Sequence, residues 1–120
     1  LTGIEYSFQK PKLPLNCSAE RSLLLYRASQ ELLTNMIKYA KAKNVVLRLN
    51  RIGDSAQLFY YDDGCGFDLV GLKHKLLRRR EDKFGLGLLS LKERVELLGG
   101  DIKINSSLGK GTTIMVNLPL

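Results

Sequence analysis

The chain has 120 residues, 44% of them hydrophobic, which suits one compact domain with a core of its own. No apolar run approaches the roughly 20 residues that a membrane-spanning helix needs, and no secretory signal pattern opens the chain. The formal net charge of +7 favours an anionic partner, either a nucleotide, a nucleic acid or an acidic protein. Cys17 and Cys65 are too few and too irregularly spaced for a disulfide framework or a metal site, so a reducing, cytosolic setting fits best. Because the chain does not begin with Met, we expect a piece of a longer protein.

The first half of the chain predicts a strand, a long helix and a β-hairpin. Residues 4–8 alternate between apolar and polar side chains, as a short strand does. Ser18 can cap the helix that follows, in which apolar residues recur at steps of three and four. Residues 45–49 and 56–61 are β-rich runs joined by residues 50–54, which predicts a hairpin.

The second half predicts a helix and a second hairpin. Residues 63–87 begin and end in glycine turns, and their basic middle is either a short helix or a loop. Residues 88–98 have helical periodicity, and two glycines at 99–100 stop the helix. Residues 102–105 and 113–118 are the strands of the second hairpin. We therefore predict an α+β two-layer sandwich, a mixed sheet with two principal helices packed on one face.

Three polar side chains share one face of the first helix. Glu31, Asn35 and Lys38 stand at positions i, i+4 and i+7. A carboxylate, an amide oxygen and an ammonium group suit a polyphosphate carrying Mg²⁺, because the oxygen atoms bind the hard cation and the ammonium meets phosphate. The alternative interpretation is a solvent-exposed helix face with no ligand.

Three glycine segments follow that helix in the chain. Asp62 ends a strand just before Gly64 and Gly66, where its carboxylate can accept a hydrogen bond from an exocyclic amine such as that of adenine; an ordinary Asp-Gly turn is the alternative. The second segment, residues 85–88, opens a helix, whose N-terminal N–H groups attract phosphate. It is not a Walker loop, since no Gly-Lys-Ser/Thr follows its glycines. The third, residues 109–112, ends on the hydroxyl of Thr112. With the helix face, these segments predict a nucleotide pocket.

These four segments resemble, in order, the N, G1, G2 and G3 boxes of the ATP-binding fold shared by gyrase, Hsp90, histidine kinases and MutL, the GHKL or Bergerat fold (HATPase_c). The resemblance is closest to the catalytic domain of sensor histidine kinases that feed helix-turn-helix (NarL/LuxR-type) response regulators. Residues 25–35 resemble the N box of that subfamily, and residues 85–100 resemble its G2 region through the Glu93-Arg94 and Gly99-Gly100 pairs. The resemblance covers almost the whole chain.

The resemblance implies roles for the polyphosphate side of the pocket. Asn35 holds Mg²⁺, and Glu31 beside it either orients the metal site or serves as a base. Lys38 touches phosphate. The phosphates are flanked, beneath a lid formed by residues 68–84, by Gly85, Gly87 and Leu88.

It also implies roles for the adenine side. Asp62 accepts a hydrogen bond from the adenine amine, and Gly64 and Gly66 shape the pocket floor. Tyr39, where this subfamily often has His, borders the nucleotide, and Thr112 supports the adenine site.

The implied function is transfer of the γ-phosphoryl group of ATP to a histidine in a two-component system. The subfamily's phosphoacceptor is a His followed by an acidic residue on a dimerising helical hairpin, whereas His74, the only histidine here, precedes Lys75. Residues 1–120 are then a single catalytic domain, a monomer with little autokinase activity, taken from a homodimeric and possibly membrane-anchored sensor. Its partners are the phosphoacceptor domain and a response regulator, with no direct contact to nucleic acid or membrane.

Two alternatives stay open. A serine kinase of the anti-sigma-factor type has the same fold. A nucleic-acid-binding module would use the basic stretch at residues 73–83, but it leaves the glycine segments unexplained.

Overall fold

The computed structural model describes residues 5–9, 17–67 and 83–120, with the side chains of 5–9, 35–40 and 83–86 outside the description. The described residues form five strands and two helices. In chain order these are β1 (Glu5–Gln9), α1 (Ala19–Ala40), β2 (Asn44–Ile52), β3 (Ser55–Asp62), α2 (Lys83–Leu97), β4 (Asp101–Ser106) and β5 (Thr112–Pro119).

The strands form one mixed sheet in the order β1-β2-β3-β5-β4. β1 runs parallel to β2, and every other neighbouring pair is antiparallel. The first hairpin is tighter than predicted, because Ile52 pairs with Ser55 and only Gly53 and Asp54 form the turn. Gly53 has a φ of +60°, which suits a two-residue turn between twisted antiparallel strands.

Both helices begin or end with the capping residues that the sequence predicts. Ser18 caps α1, and its hydroxyl accepts a hydrogen bond from the N–H of Arg21 at 3.2 Å. After α2, Gly99 has a φ of +82° and donates to the carbonyl of Glu96, while Gly100 donates to the carbonyl of Val95. This pair of bonds is a Schellman motif, which ends the helix where the double glycine predicts.

Helix α2 begins earlier than its apolar periodicity predicts, at Lys83 instead of residue 88. Gly85 and Gly87 therefore lie inside its first two turns. Each glycine costs a helix about 1 kcal/mol relative to alanine. Burial of Leu88, Leu91 and Val95 against the sheet offsets that cost.

The core lies between the two helices and one face of the sheet. Buried residues alternate with more exposed ones along β3 and β5, as expected for strands with one covered face. The buried hydrophobic members of the sheet are Val45, Leu47, Ala56, Leu58, Tyr60, Ile114, Val116 and Leu118. The predicted α+β two-layer sandwich is confirmed. Neither helix in the described part of the chain combines the length and apolar character that crossing a bilayer demands.

Candidate functional site

Two polar side chains interrupt the apolar core at one end of the sheet. Asp62 ends β3, Thr112 begins β5, and the two residues are partners in the strand register. Both are buried, and the other buried side chains of the described residues are apolar apart from the phenol oxygen of Tyr60. A buried carboxylate is costly unless it is hydrogen-bonded, so its partners decide what it can do.

Three donors among the described residues hold the Asp62 carboxylate. Its Oδ1 accepts from the N–H of Gly64 at 2.9 Å, and its Oδ2 accepts from the hydroxyl of Tyr60 at 2.7 Å. The backbone of Thr112 supplies a third hydrogen bond. Burial raises the pKa of Asp62 above its ordinary value, while these three hydrogen bonds act in the opposite direction. The result is a fixed hydrogen-bond acceptor at the end of the strand.

The next residue, Asp63, hydrogen-bonds to the start of β2. Its Oδ1 accepts from the backbone N–H groups of Lys43 and Asn44, both at 2.9 Å, and its Oδ2 accepts from the Asn44 side-chain amide at 2.8 Å. These bonds from Asn44 and Lys43 hold the pKa of Asp63 below its ordinary value. Asp63 therefore ties the end of β3 to the start of β2 and leaves its neighbour to face the core.

The first and third glycine segments lie against each other at this end of the sheet. Gly66 has a φ of +63°, and a β-carbon there would overlap the carbonyl oxygen of Ser107 and lie 2.9 Å from that of Gly111. Gly111 has a φ of +77°, and a β-carbon there would overlap the carbonyl oxygen of Asp62. The N–H of Gly109 donates to the carbonyl of Cys65 at 2.6 Å. Glycine is required at 66 and 111 because backbone fills the space that a side chain would occupy.

A serine that sequence reasoning missed joins this cluster. Ser106 is the register partner of Thr112, and their hydroxyl oxygens are 2.8 Å apart. Ser106 Oγ also accepts from the N–H of Phe67 at 2.9 Å and lies 3.2 Å from the carbonyl oxygen of Gly111. The signal for Ser106 was its place opposite Thr112 in the predicted hairpin. Tyr60 was missed too, although its position two residues before Asp62 puts it on the same strand face.

A second group of predicted residues lines a groove between α1 and α2. The groove has a volume of about 620 Å³, and its walls include Glu31 and Gly87, with Arg27 and Arg94 supplying positive charge. Asp62 and Thr112 are not among the residues that line it. The structure therefore brings the predicted residues together in two groups, one at the strand ends and one between the helices.

The remaining predicted residues are only partly described. Gly85 lies in the first turn of α2, and the side chain of Leu88 is buried in the core. Asn35, Lys38 and Tyr39 lie on α1, but their side chains are outside the described residues. Of the predicted lid at residues 68–84, residues 68–82, with His74, also lie outside them, and residues 83–84 belong to α2. Within the described residues, no three His, Cys, Asp or Glu side chains gather into a metal-binding group.

The fold and these glycine loops agree with one family of ATPases. Residues 20–120 match the family described as histidine kinase-, DNA gyrase B-, and HSP90-like ATPase (HATPase_c), and the chain belongs to that family. The family predicted from the four segments is thus confirmed.

Curated relatives carry the names of sensor kinases. The chain is 40% identical over 97 residues to an uncharacterized sensor-like histidine kinase of Chloroflexus aurantiacus, covering 80% of this chain and 16% of that protein. It is 36% identical over 96 residues to the signal transduction histidine-protein kinase/phosphatase DegS of Bacillus subtilis, covering 80% of this chain and 23% of DegS. Sensor histidine kinase ComP of the same organism is 36% identical over 101 residues, with 84% of this chain and 12% of ComP covered. The chain spans less than a quarter of the length of each of these relatives.

A solved structure has the same fold. The histidine kinase domain of the blue-light activated histidine kinase from Erythrobacter litoralis superposes with a TM-score of 0.73 at 20% sequence identity. The match covers 100% of this chain and 53% of that one. At this identity the likeness concerns the fold alone.

Proposed function

We propose that the chain is the ATP-binding catalytic domain of a two-component sensor histidine kinase. It transfers the γ-phosphoryl group of ATP to a histidine on a separate domain, and it has little autokinase activity alone. The observation that carries this proposal is the buried Asp62 carboxylate, held by three donors beside glycine loops that leave no room for side chains. Family membership and the names of the relatives support the same activity.

The strand-end group is suited to hold adenine. A carboxylate offers about four acceptor positions, so the three donors among the described residues leave Asp62 one position for the exocyclic amine. In this proposal Gly64 and Gly66 shape the pocket floor, and Thr112, the register partner of Asp62, supports the base. Tyr39, on α1, borders the nucleotide.

The predicted residues on α1 and α2, at the groove between the two helices, are suited to hold the triphosphate. No acidic residue occupies the first turn of α2, so the free N–H groups and the helix dipole can attract phosphate, with Gly85 and Gly87 permitting close approach. Glu31 and Asn35, one turn apart on α1, are oxygen donors of the kind that Mg²⁺ prefers, and these two residues would hold it. Mg²⁺, when bound, offsets charge on the phosphates, and Lys38 adds to that effect. Catalysis is then mainly positioning and charge neutralisation.

The partners in this proposal are the dimerisation and phosphoacceptor domain of the same protein and a helix-turn-helix (NarL/LuxR-type) response regulator. The domain works on the cytosolic side as a monomeric unit of a homodimer. The serine-kinase alternative rests on the shared fold, whereas the curated relatives carry histidine-kinase names. The upstream sequence discriminates the two, because a helical hairpin with a His-Asp or His-Glu pair belongs to the first.

Titration with a fluorescent ATP analogue, with and without Mg²⁺, tests the proposal. The wild type binds the analogue, and Asp62→Asn weakens binding roughly 10- to 100-fold, because a hydrogen bond to a charged group contributes about 1.5–3 kcal/mol. Asp101→Asn makes the same chemical change at an exposed carboxylate at the start of β4 and leaves binding unchanged. Asn35→Ala removes the Mg²⁺-dependent part of the affinity. Absence of binding by the wild type refutes the proposal, and equal binding by Asp62→Asn removes Asp62 from the adenine site.

A further inference from the structure

Tyr60 is the largest fully buried side chain of the described residues. Its hydroxyl donates a hydrogen bond to Asp62, the predicted acceptor for the adenine amine. It lies two residues before Asp62 on β3, and its Oη is 2.7 Å from Asp62 Oδ2. The register partners of Tyr60, Leu47 on β2 and Ile114 on β5, are apolar and buried. Phenylalanine would fill this apolar space equally well, so packing does not account for the hydroxyl.

The hydroxyl changes what the carboxylate can accept. Of the three donors to Asp62, those from Gly64 and Thr112 are backbone groups that any sequence with this fold supplies. Tyr60 supplies the one donor that depends on a side chain. It occupies one acceptor position of Oδ2 and holds the carboxylate in place. Counting donors among the described residues, one of the four acceptor positions of the carboxylate is unfilled.

We propose that Tyr60 is a positioning residue that sets the nucleobase specificity of this site, by holding Asp62 as an acceptor-only group with one open position. A purine with an amino group at carbon 6 donates to that position. A purine with a carbonyl there, such as hypoxanthine, presents a second acceptor and is rejected. This inference rests on the proposed ATP site and adds the residue that tunes its selectivity.

Among the described residues, only two titratable groups act on Asp62. Tyr60 and Asp63 are the titratable groups that act on it. Its register partners on β2 and β5, Val45 and Thr112, carry no charge. The described core residues of α1 that face the sheet, such as Leu32, are apolar. The hydrogen bond from Tyr60 lowers the pKa of Asp62 against the effect of burial, so its loss makes protonation easier.

Protonated Asp62 reverses the preference for the base. A neutral carboxyl group carries one O–H donor, which can bind the carbonyl of hypoxanthine and no longer favours the adenine amine. Removal of the Tyr60 hydroxyl therefore weakens the binding of ATP and strengthens the binding of ITP, the nucleotide whose base is hypoxanthine. On acidification, both changes in affinity then begin at a higher pH than in the wild type. A purely structural role for Tyr60 would lower both affinities together and leave their pH dependence unchanged.

The experiment measures the dissociation constants of ATP and ITP between pH 5 and 8 by competition with the fluorescent analogue. The variants are Tyr60→Phe and, as the matched control, Tyr61→Phe. Tyr61 is 38% exposed and lies on the opposite face of the sheet. We expect the ATP:ITP preference of Tyr60→Phe to fall about tenfold at pH 7, and its loss of ATP affinity on acidification to begin at higher pH. Tyr61→Phe behaves as the wild type.

The outcomes separate this inference from the proposed function. A wild type that binds neither nucleotide refutes both. A wild type that prefers ATP, with a Tyr60→Phe variant that keeps the same preference and pH dependence, refutes the role of Tyr60 alone. If Tyr60→Phe does not fold, 3-fluorotyrosine at position 60 keeps the ring and makes the phenol a stronger donor. The preference for ATP must then rise above that of the wild type, and an unchanged preference refutes the inference.

Discussion

Replacement of Gly66 by alanine tests the contact between the first and third glycine segments. Gly66 and Gly109 both have positive φ, +63° and +80°, and both belong to the loops that meet through the Gly109–Cys65 hydrogen bond. They differ in the space around them. A β-carbon at Gly109 has no atom within 4 Å, whereas one at Gly66 overlaps the backbone oxygen of Ser107 and lies 2.9 Å from that of Gly111.

The two substitutions share one cost and differ in another. A left-handed conformation costs a residue with a β-carbon about 1–2 kcal/mol, and the stiffer unfolded chain returns about 0.4–1 kcal/mol. Gly109→Ala therefore lowers the free energy of unfolding by about 1.5 kcal/mol or less. At Gly66 two backbone oxygens must also move, and neither can rotate away as a flexible side chain would. We expect a total loss of about 3–5 kcal/mol, in the range of overpacked and strained sites.

Urea unfolding of the wild type and the two alanine variants measures this difference. With a slope of about 2 kcal/mol per molar urea, the midpoint of Gly66→Ala lies at least roughly 1 M below that of Gly109→Ala. Nucleotide-analogue binding, measured without urea, should fall more in Gly66→Ala, because the displaced loop includes the residues next to Asp62. Equal midpoints for the two variants would show that the loops do not touch as described.

Three further predictions concern stability and its dependence on pH. Ser18→Ala removes the cap of α1 and lowers the free energy of unfolding by about 1 kcal/mol, seen as a fall in melting temperature of roughly 4 °C, whereas Ser18→Asp keeps it. Asp62→Asn leaves the stability of the nucleotide-free domain at pH 7 unchanged or higher. The reason is that the pKa of Asp62 is raised in the folded state, so wild-type stability falls as the pH rises above 3.8, the ordinary pKa of the carboxyl group. A marked loss of stability at pH 7 in urea unfolding would contradict this. Asp63→Ala does the opposite. The lowered pKa of Asp63 stabilises the fold above pH 3.8, so the variant is less stable at pH 7, and its difference from the wild type in urea midpoint narrows as the pH falls below that value.

The glycine residues of the site illustrate how far sequence reasoning reaches. Gly64 and Gly66 were predicted to shape a pocket floor, and that role stays a prediction. The structure shows why glycine is needed at 66 and 111, because each faces a backbone oxygen of another segment. The spacing of residues in the sequence did not predict that the site residues form two groups, one at the strand ends and one in the groove between the helices. That division depends on how far α1 and α2 stand from the end of β3, which is a tertiary property.

Tyr60 and Ser106 were not predicted as members of the site. Alternation along β3 puts Tyr60 and Asp62 on the same face, but a hydrogen bond between them depends on side-chain rotamers that the core packing selects. Ser106 reaches Thr112 because residues 107–111 close the hairpin with those two residues opposite each other. A shift of one residue in register would turn Ser106 to the other face.

The elements and the family could be predicted from local patterns in the chain. Helical and strand periodicity, the Ser18 cap and the glycine stops act over a few residues, so they can be read locally, and the order of the four segments is characteristic of this ATPase family. The position of β5 between β3 and β4, which places Thr112 beside Asp62, is visible only in the folded domain. These pairings join residues that are far apart in the chain, and they form because burying one apolar face of the sheet under two helices is favourable for the whole domain and for no single segment.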